Sequence, residues 1–174
     1  MSERNEKREQ FQVKQTSGKK FLVPVLVAVI AVTVAAGWFL FGQGVTAGHS
    51  VVDAGHDGKV RFATADFSDG QAKFYRFQGQ TGPIDFFVVK SSDGVIRSAF
   101  DTCDVCYKAL KGYRQEGHEM VCNNCDQRFP TDKINIVKGG CNPAPLNRQQ
   151  VGETIVIAAN DIEKGAWYFK GAVN

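Results

Sequence analysis

Hydrophobic residues follow two different patterns along the chain, one continuous and one interrupted. Residues 21–41 form an apolar run without a charged residue, whereas from residue 59 onward short apolar segments alternate with turn-forming residues. A long continuous run is typical of a membrane-spanning helix, and short segments rich in β-branched and aromatic residues are typical of strands. The pattern therefore predicts one N-terminal transmembrane helix followed by a mainly β domain.

The apolar run predicts a single-pass membrane anchor. As a helix, it would be about 31 Å long, which matches the core of a bilayer. Lys19 and Lys20 precede it directly, and the next lysine or arginine is Lys59. The positive-inside rule then places residues 1–20 in the cytoplasm and the C-terminal domain on the extracytoplasmic side of the cell membrane. A cleaved signal peptide is the alternative, but its apolar region is typically only about 7–15 residues long.

The charge distribution argues for membrane orientation and against nucleic-acid binding. The formal net charge is +3, and residues 1–20 contain six basic and three acidic residues. The rest of the chain is therefore neutral and lacks the basic excess that attracts nucleic acid. We expect membrane lipid, and no nucleic acid, as a partner.

The remaining pattern predicts a linker and a β domain. Residues 42–58 are glycine-rich and without periodicity, which predicts a linker before a domain over residues 59–174. Strands are predicted over residues 60–67, 72–77, 84–90, 95–100, 119–121, 133–137, 154–158 and 167–170. Such short strands favour an antiparallel sandwich or barrel. A loop or hairpin is predicted over residues 108–117, and a single helical turn over residues 107–111.

Four cysteines stand in two matched pairs, Cys103-Asp-Val-Cys106 and Cys122-Asn-Asn-Cys125, with fifteen residues between the pairs. A Cys-x2-Cys turn directs two sulfurs to one centre, so two such turns supply four thiolates to a metal. The spacing predicts that Cys103, Cys106, Cys122 and Cys125 are metal ligands. Zinc, a single iron ion and an iron–sulfur cluster all accept four thiolates. Two redox-active disulfides are the alternative.

The fifth cysteine and the histidines are weaker candidates. Cys141 lies in a Gly-Gly-Cys-Asn-Pro segment. An unpaired cysteine is commonly a buried and inert residue, but the tight loop also makes Cys141 a candidate additional ligand. His49 and His56 fall in the predicted linker and His118 in a loop, so we expect exposed side chains that do not bind metal.

Motifs for hydrolytic or transfer chemistry do not occur in the sequence. Tyr107 and Asp126 follow the two cysteine pairs, so neither pair forms the Cys-x-x-Cys-His motif that attaches haem. P-loop, His-Glu-x-x-His and Gly-x-Ser-x-Gly motifs are also absent from the sequence. The residues therefore favour an electron-transfer or binding protein over an enzyme.

The cysteine region and the strands before it contain a set of segments typical of one known family. They are FFVVK (86–90), DGVIR (93–97), AFD (99–101), CDVCY (103–107), GY (112–113), MVCNNC (120–125) and GGCNP (139–143). On these segments, residues 59–170 resemble the FtrD-like family of membrane iron–sulfur proteins. Members are bacterial or archaeal, are attached to the membrane and are often described alongside iron-uptake systems. The resemblance implies an iron–sulfur cluster and, as partner, a membrane transporter or a redox protein.

A looser similarity in fold concerns Rieske ferredoxin domains, whose metal loops are Cys-x-His and Cys-x2-His. Pro143-Ala144-Pro145-Leu146 lies where those domains carry a Pro-Ala-Pro-Leu segment, and residues 155–157 would form a closing strand. The similarity implies a Rieske-like antiparallel β fold. Cys106 and Cys125 replace the two histidines, so a cluster here would have a lower potential and no histidine-linked proton coupling.

Three functions are open at this stage. The first is a membrane-anchored electron-transfer or iron-handling module associated with iron transport, which the family resemblance favours. The second is a structural four-cysteine zinc site in a docking domain, because a closed zinc site adds folding energy without chemistry. The third is a thiol–disulfide redox protein.

Overall fold

Short strands dominate the fold, as the hydrophobic pattern predicts. The computed structural model describes residues 48–171. In chain order the strands are β1 (Ser50–Val52), β2 (Lys59–Ala63), β3 (Lys73–Gly79), β4 (Gly82–Lys90), β5 (Ile96–Phe100), β6 (Tyr113–Glu116), β7 (Glu119–Cys122), β8 (Arg128–Pro130), β9 (Gln149–Val151) and β10 (Thr154–Ala158). A short helix, α1 (Ala159–Glu163), follows β10. The described part of the chain is therefore mainly β.

The strands form three sheets. Their orders are β1-β3-β4-β5, β2-β10-β9 and β6-β7-β8. Neighbouring strands are antiparallel, except that β1 runs parallel to β3. No sheet within residues 48–171 closes into a barrel. The antiparallel sheets are therefore confirmed, and of the two predicted arrangements, sandwich or barrel, the barrel is not formed.

Strand β4 separates two hydrophobic clusters. Its residues Phe86, Phe87, Val88 and Val89 are all 0 % exposed. Successive side chains of a strand point to opposite faces, so Phe86 and Val88 pack in the main core while Phe87 and Val89 pack in a second cluster. Two cysteines, one from each Cys-x2-Cys pair, belong to that second cluster. The central strand thus forms an apolar floor beneath the cysteine loops.

Residues 133–137 are not the predicted strand. The 3-10 helix Thr131–Lys133 is followed by turns, and Asn135 has a φ of +63°. The side-chain amide of Asn135 donates a hydrogen bond to the carbonyl of Leu146 at 2.8 Å. Asparagine tolerates the left-handed conformation, which breaks an extended chain. The β-branched residues of this segment therefore favour a strand that the backbone does not form.

Residues 167–170 are also not a strand. They lie largely in the 3-10 helix Ala166–Phe169, in which the rings of Trp167 and Tyr168 stack with centroids 3.7 Å apart. Aromatic residues favour strands because their side chains fit a half-buried surface. Here Trp167 and Tyr168 pack against each other in a helical turn that pairs with no strand among the described residues. The predicted helical turn near residue 107 is confirmed, since Tyr107–Ala109 forms a 3-10 helix.

The predicted linker contains part of the folded domain. Strand β1 falls within residues 42–58 and pairs with the edge of β3, where Val51 is opposite Arg76. The predicted tail over residues 1–20 and the predicted membrane helix over residues 21–41 lie outside the described residues. Among residues 48–171, none of the helices combines the length and the apolar character that crossing a bilayer requires.

Candidate metal centre

Each Cys-x2-Cys pair forms a turn at the end of a strand, as predicted. The first turn follows β5, and the backbone N–H of Cys106 donates a hydrogen bond to Sγ of Cys103 at 3.1 Å. In the second turn, Cys122 ends β7 and its carbonyl accepts a bond from the N–H of Asp126 at 2.9 Å. An N–H directed at a cysteine sulfur favours the thiolate, which is the form that binds metal.

The hairpin of β6 and β7 ties the second turn to the end of the first. Tyr113 on β6 pairs with Cys122 on β7. The backbone N–H of Asn123 donates to the carbonyl of Gly112 at 3.0 Å, and its side-chain amide donates to the carbonyl of Lys111 at 2.8 Å. The predicted loop or hairpin over residues 108–117 thus continues from the 3-10 helix Tyr107–Ala109 into β6, and the β6–β7 hairpin brings the two turns together.

A third segment brings Cys141 to the same place. The N–H of Phe100 donates to the carbonyl of Ala144 at 2.8 Å, and the N–H of Ala144 donates to the carbonyl of Thr102 at 2.9 Å. In addition, the hydroxyl of Tyr113 donates to the carbonyl of Cys141 at 2.6 Å. The Cys141 loop is thus fixed beside the first turn by backbone pairing and by a side chain of β6.

The five cysteine sulfurs form one array at this end of the domain. The Sγ atoms of Cys103, Cys106 and Cys122 lie within 4.8 Å of one another, and so do those of Cys106, Cys125 and Cys141. Cys106 belongs to both groups of three. All four predicted ligands are therefore in the array, together with Cys141. Within residues 48–171 no four sulfurs satisfy the same mutual limit.

The array extends from the interior to the surface. Cys103 and Cys122 are 1 % and 2 % exposed, whereas Cys106 and Cys141 are partly buried and Cys125 is exposed. Beneath the buried end, the ring of Phe87 packs against Tyr113 with centroids 6.2 Å apart. One end of the array is therefore shielded from water, and the other end is accessible.

Burial, amide donors and neighbouring sulfurs shift the thiol pKa values in different directions. A hydrogen bond from the backbone of Gln127 lowers the pKa of Cys125. Desolvation raises the pKa of Cys141 to about 11. The amide of Asn124 favours the thiolate of Cys106, but desolvation and the neighbouring sulfurs outweigh it and raise the pKa of that thiol to about 12. Among the thiols with a shifted pKa, only that of Cys125, the exposed one, is lowered, which favours its thiolate.

His49 differs from the exposed residue that the sequence predicts. Its ring is partly buried, with Nε2 lying 2.9 Å from Oδ2 of Asp101 and 3.8 Å from Oδ2 of Asp85. The other oxygen of Asp101 accepts a bond from the Tyr113 N–H at 2.7 Å. Neither group of three sulfurs includes a histidine. His56 and His118 are exposed, as predicted.

We expect the pKa of His49 to lie above 6.5, because the hydrogen bond to Asp101 raises it more than burial lowers it. The charged ring then stabilises the domain below pH 6.5 as long as Asp101, whose pKa burial raises, is still ionised. This contribution is lost as the pH rises through the raised pKa of His49. An NMR titration of the ring protons measures the midpoint. Asp101→Asn should lower it strongly, and Asp85→Asn, at the longer distance, should lower it less. A wild-type midpoint below 6.5 would contradict the assignment.

The five cysteine sulfurs are suited to binding a metal ion that prefers sulfur ligands. Cysteine thiolates are the ligands preferred by zinc and by iron–sulfur clusters. The sequence model of the family described as "Membrane iron-sulfur containing protein FtrD-like" matches residues 67–169, which include all five cysteines. The chain belongs to this family. The FtrD-like family is membrane-associated and iron–sulfur-containing, so a metal-binding, iron-related role is established at that level.

Comparison with solved structures gives a distant similarity. A crystal structure of the quaternary ammonium Rieske monooxygenase CntA, in complex with an inhibitor, has a TM-score of 0.40 and 12 % sequence identity to the FtrD-like chain. The aligned region covers 67 % of the FtrD-like chain and 36 % of the monooxygenase chain. Comparison with curated proteins gives no match.

Proposed function

We propose that this FtrD-like protein is an iron–sulfur electron-transfer or iron-handling module that works on the extracytoplasmic side of the cell membrane, where its N-terminal helix anchors it. The observation that carries the proposal is the five-sulfur array with one buried and one exposed end, within the region that matches an iron–sulfur family. Catalytic motifs are absent from the sequence, which favours a carrier of electrons or iron over an enzyme.

In this proposal Cys103, Cys106, Cys122 and Cys125 hold the cluster, which supplies one-electron redox chemistry when bound. The protein's own contribution is to fix the thiolates and to tune them. The N–H of Cys106 directed at Sγ of Cys103 stabilises negative charge on sulfur. The apolar floor around Phe87 limits water at the buried end. Both features influence the potential of an iron–sulfur centre.

The exposed end of the array is where electrons would enter or leave. Cys125 is exposed, whereas Cys103 and Cys122 are buried under β4 and the β6–β7 hairpin. We expect a redox partner to approach the centre from the side of the described domain where Cys125 is exposed and Cys106 and Cys141 are partly exposed. We propose that this partner is a membrane-bound redox protein or an iron transporter, in keeping with an anchor that restricts the domain to the membrane surface.

Metal and sulfide analysis of the full-length protein tests this function. The protein is purified in detergent under argon, and we expect iron with matching acid-labile sulfide, visible absorption and an EPR signal after reduction or oxidation. Cys103→Ser removes a fully buried ligand and should abolish the absorption. A colourless protein with stoichiometric zinc and no labile sulfide would overturn the redox role.

A structural zinc site is the second candidate. The full burial of Cys103 and Cys122 within a hydrophobic cluster favours it, because a closed zinc site holds a small core together. In that case, removing zinc with a chelator should unfold the domain, as followed by circular dichroism. Unchanged thermal unfolding after complete zinc removal would contradict it.

A further inference from the structure

We propose that the cysteine array provides two metal positions that share the thiolate of Cys106, and that Cys141 is a ligand of the second position. Cys103, Cys106 and Cys122 surround the first position, and Cys106, Cys125 and Cys141 surround the second. The inference rests on the proposed function in that the array binds metal. It does not depend on whether the metal is iron or zinc.

The distances between sulfurs favour two positions over one. Two thiolates bound to the same tetrahedral ion, each at about 2.3 Å, are about 3.8 Å apart. Within each group of three, the sulfurs already lie within 4.8 Å of one another, so a small movement brings them to that separation. Within residues 48–171 no set of four sulfurs meets the same limit, so the arrangement favours two three-sulfur positions over one four-thiolate ion.

Cys106 is the sulfur common to both groups. Each position then has three cysteine ligands and needs one more for tetrahedral coordination. Inorganic sulfide or water can provide it, and a sulfide shared by both ions would complete both positions with sulfur alone. Five thiolates, one of them shared, are thus sufficient for two ions, whereas one ion would leave a thiolate unused.

Cys141 is held in the array by specific contacts. The hydroxyl that bonds its carbonyl belongs to Tyr113, which is 4 % exposed and packed between Phe87 and Phe129. Gly139 and Gly140 have φ values of +86° and +62°, so the loop turns sharply before Cys141. The thiol is only partly buried, and a cysteine used simply as a small apolar residue would be expected inside the core.

Counting zinc ions on the full-length protein in detergent tests the two positions. Zinc alone is the probe, so a failure to assemble an iron–sulfur cluster would reject the proposed function without affecting this count. We expect about two zinc ions per wild-type chain by elemental analysis after removal of free metal. Cys141→Ser should retain about one, and Cys106→Ser should weaken both positions. Tyr113→Phe keeps all five thiols, and we expect weaker binding at the second position only.

One zinc ion per wild-type chain, or two in Cys141→Ser, would overturn the proposal. Alkylation of the wild-type protein gives a measurement that does not rely on a folded variant. Zinc should protect Cys141 from iodoacetamide, and a chelator should restore its reaction, as peptide mass spectrometry can follow. Equal alkylation rates of Cys141 with and without zinc would also overturn the proposal.

Discussion

Phe87→Ala is expected to lower the free energy of unfolding by about 3–5 kcal/mol, because it removes a large, fully buried ring and leaves a cavity. Phe87 is 0 % exposed and belongs to the same cluster as Cys103 and Cys122. Its ring supports Tyr113, which in turn bonds the Cys141 carbonyl. We therefore expect weaker metal binding as well as lower stability. Denaturant unfolding and metal titration measure the two effects.

Phe86→Ala is the matched control for this change. Phe86 is also 0 % exposed, but it points to the opposite face of β4 and packs in the main core. A similar loss of about 3–5 kcal/mol is expected, with metal affinity close to that of the wild type under conditions where both variants are folded. If the two variants lost metal affinity equally, the apolar floor would have no specific role at the cysteine array.

Gly112→Ala is expected to destabilise the junction between the two cysteine turns. Gly112 has a φ of +63°, a conformation that costs other residues about 1–2 kcal/mol. An added Cβ would also overlap the carboxylate of Asp101. That carboxylate is held by the Tyr113 N–H and by His49, so it cannot move away freely. Such crowding typically adds about 1–3 kcal/mol.

Gly117→Ala separates the two causes. Gly117 has nearly the same φ, +60°, but an added Cβ would meet no atom within 4 Å. We expect this variant to show only the conformational cost of about 1–2 kcal/mol. Equal losses in thermal or denaturant unfolding for the two alanine variants would show that the contact with Asp101 is unimportant. A greater loss at Gly112, with altered metal binding, is the expected outcome.

The sequence predicts well those strands that form because their apolar side chains are buried. Residues 84–90 and 154–158 are runs rich in β-branched and aromatic residues, and they form most of β4 and all of β10. The pattern failed where a single non-local contact decides the backbone. The bond from Asn135 to the carbonyl of Leu146 holds a left-handed turn in a segment with strand-like alternation.

The candidate metal site also contains parts that local sequence predicts and parts that depend on distant contacts. A Cys-x2-Cys turn is local, so each pair could be predicted from spacing. The position of Cys141 depends instead on pairing of Ala144 with Phe100 and Thr102, about forty residues away in sequence. His49 directly precedes β1, a strand too short to be evident in a glycine-rich segment. Its hydrogen bond to Asp101 is likewise a contact between residues far apart in sequence. Contacts of this kind have no signature in a single sequence.

The closeness of the five sulfurs also affects the order of events during assembly. Thiols whose sulfurs lie within 4.8 Å of one another are close enough to be candidates for disulfide formation, which needs an S–S separation of about 2.05 Å. Cys125 is exposed and has a lowered pKa, so it is the thiolate that reacts first with an oxidant. Without metal, oxidation would join it to Cys106 or Cys141 and close the site. A metal ion bound to Cys125 would block this reaction, so we expect the protein to retain its free thiols under oxidants only when metal is bound first.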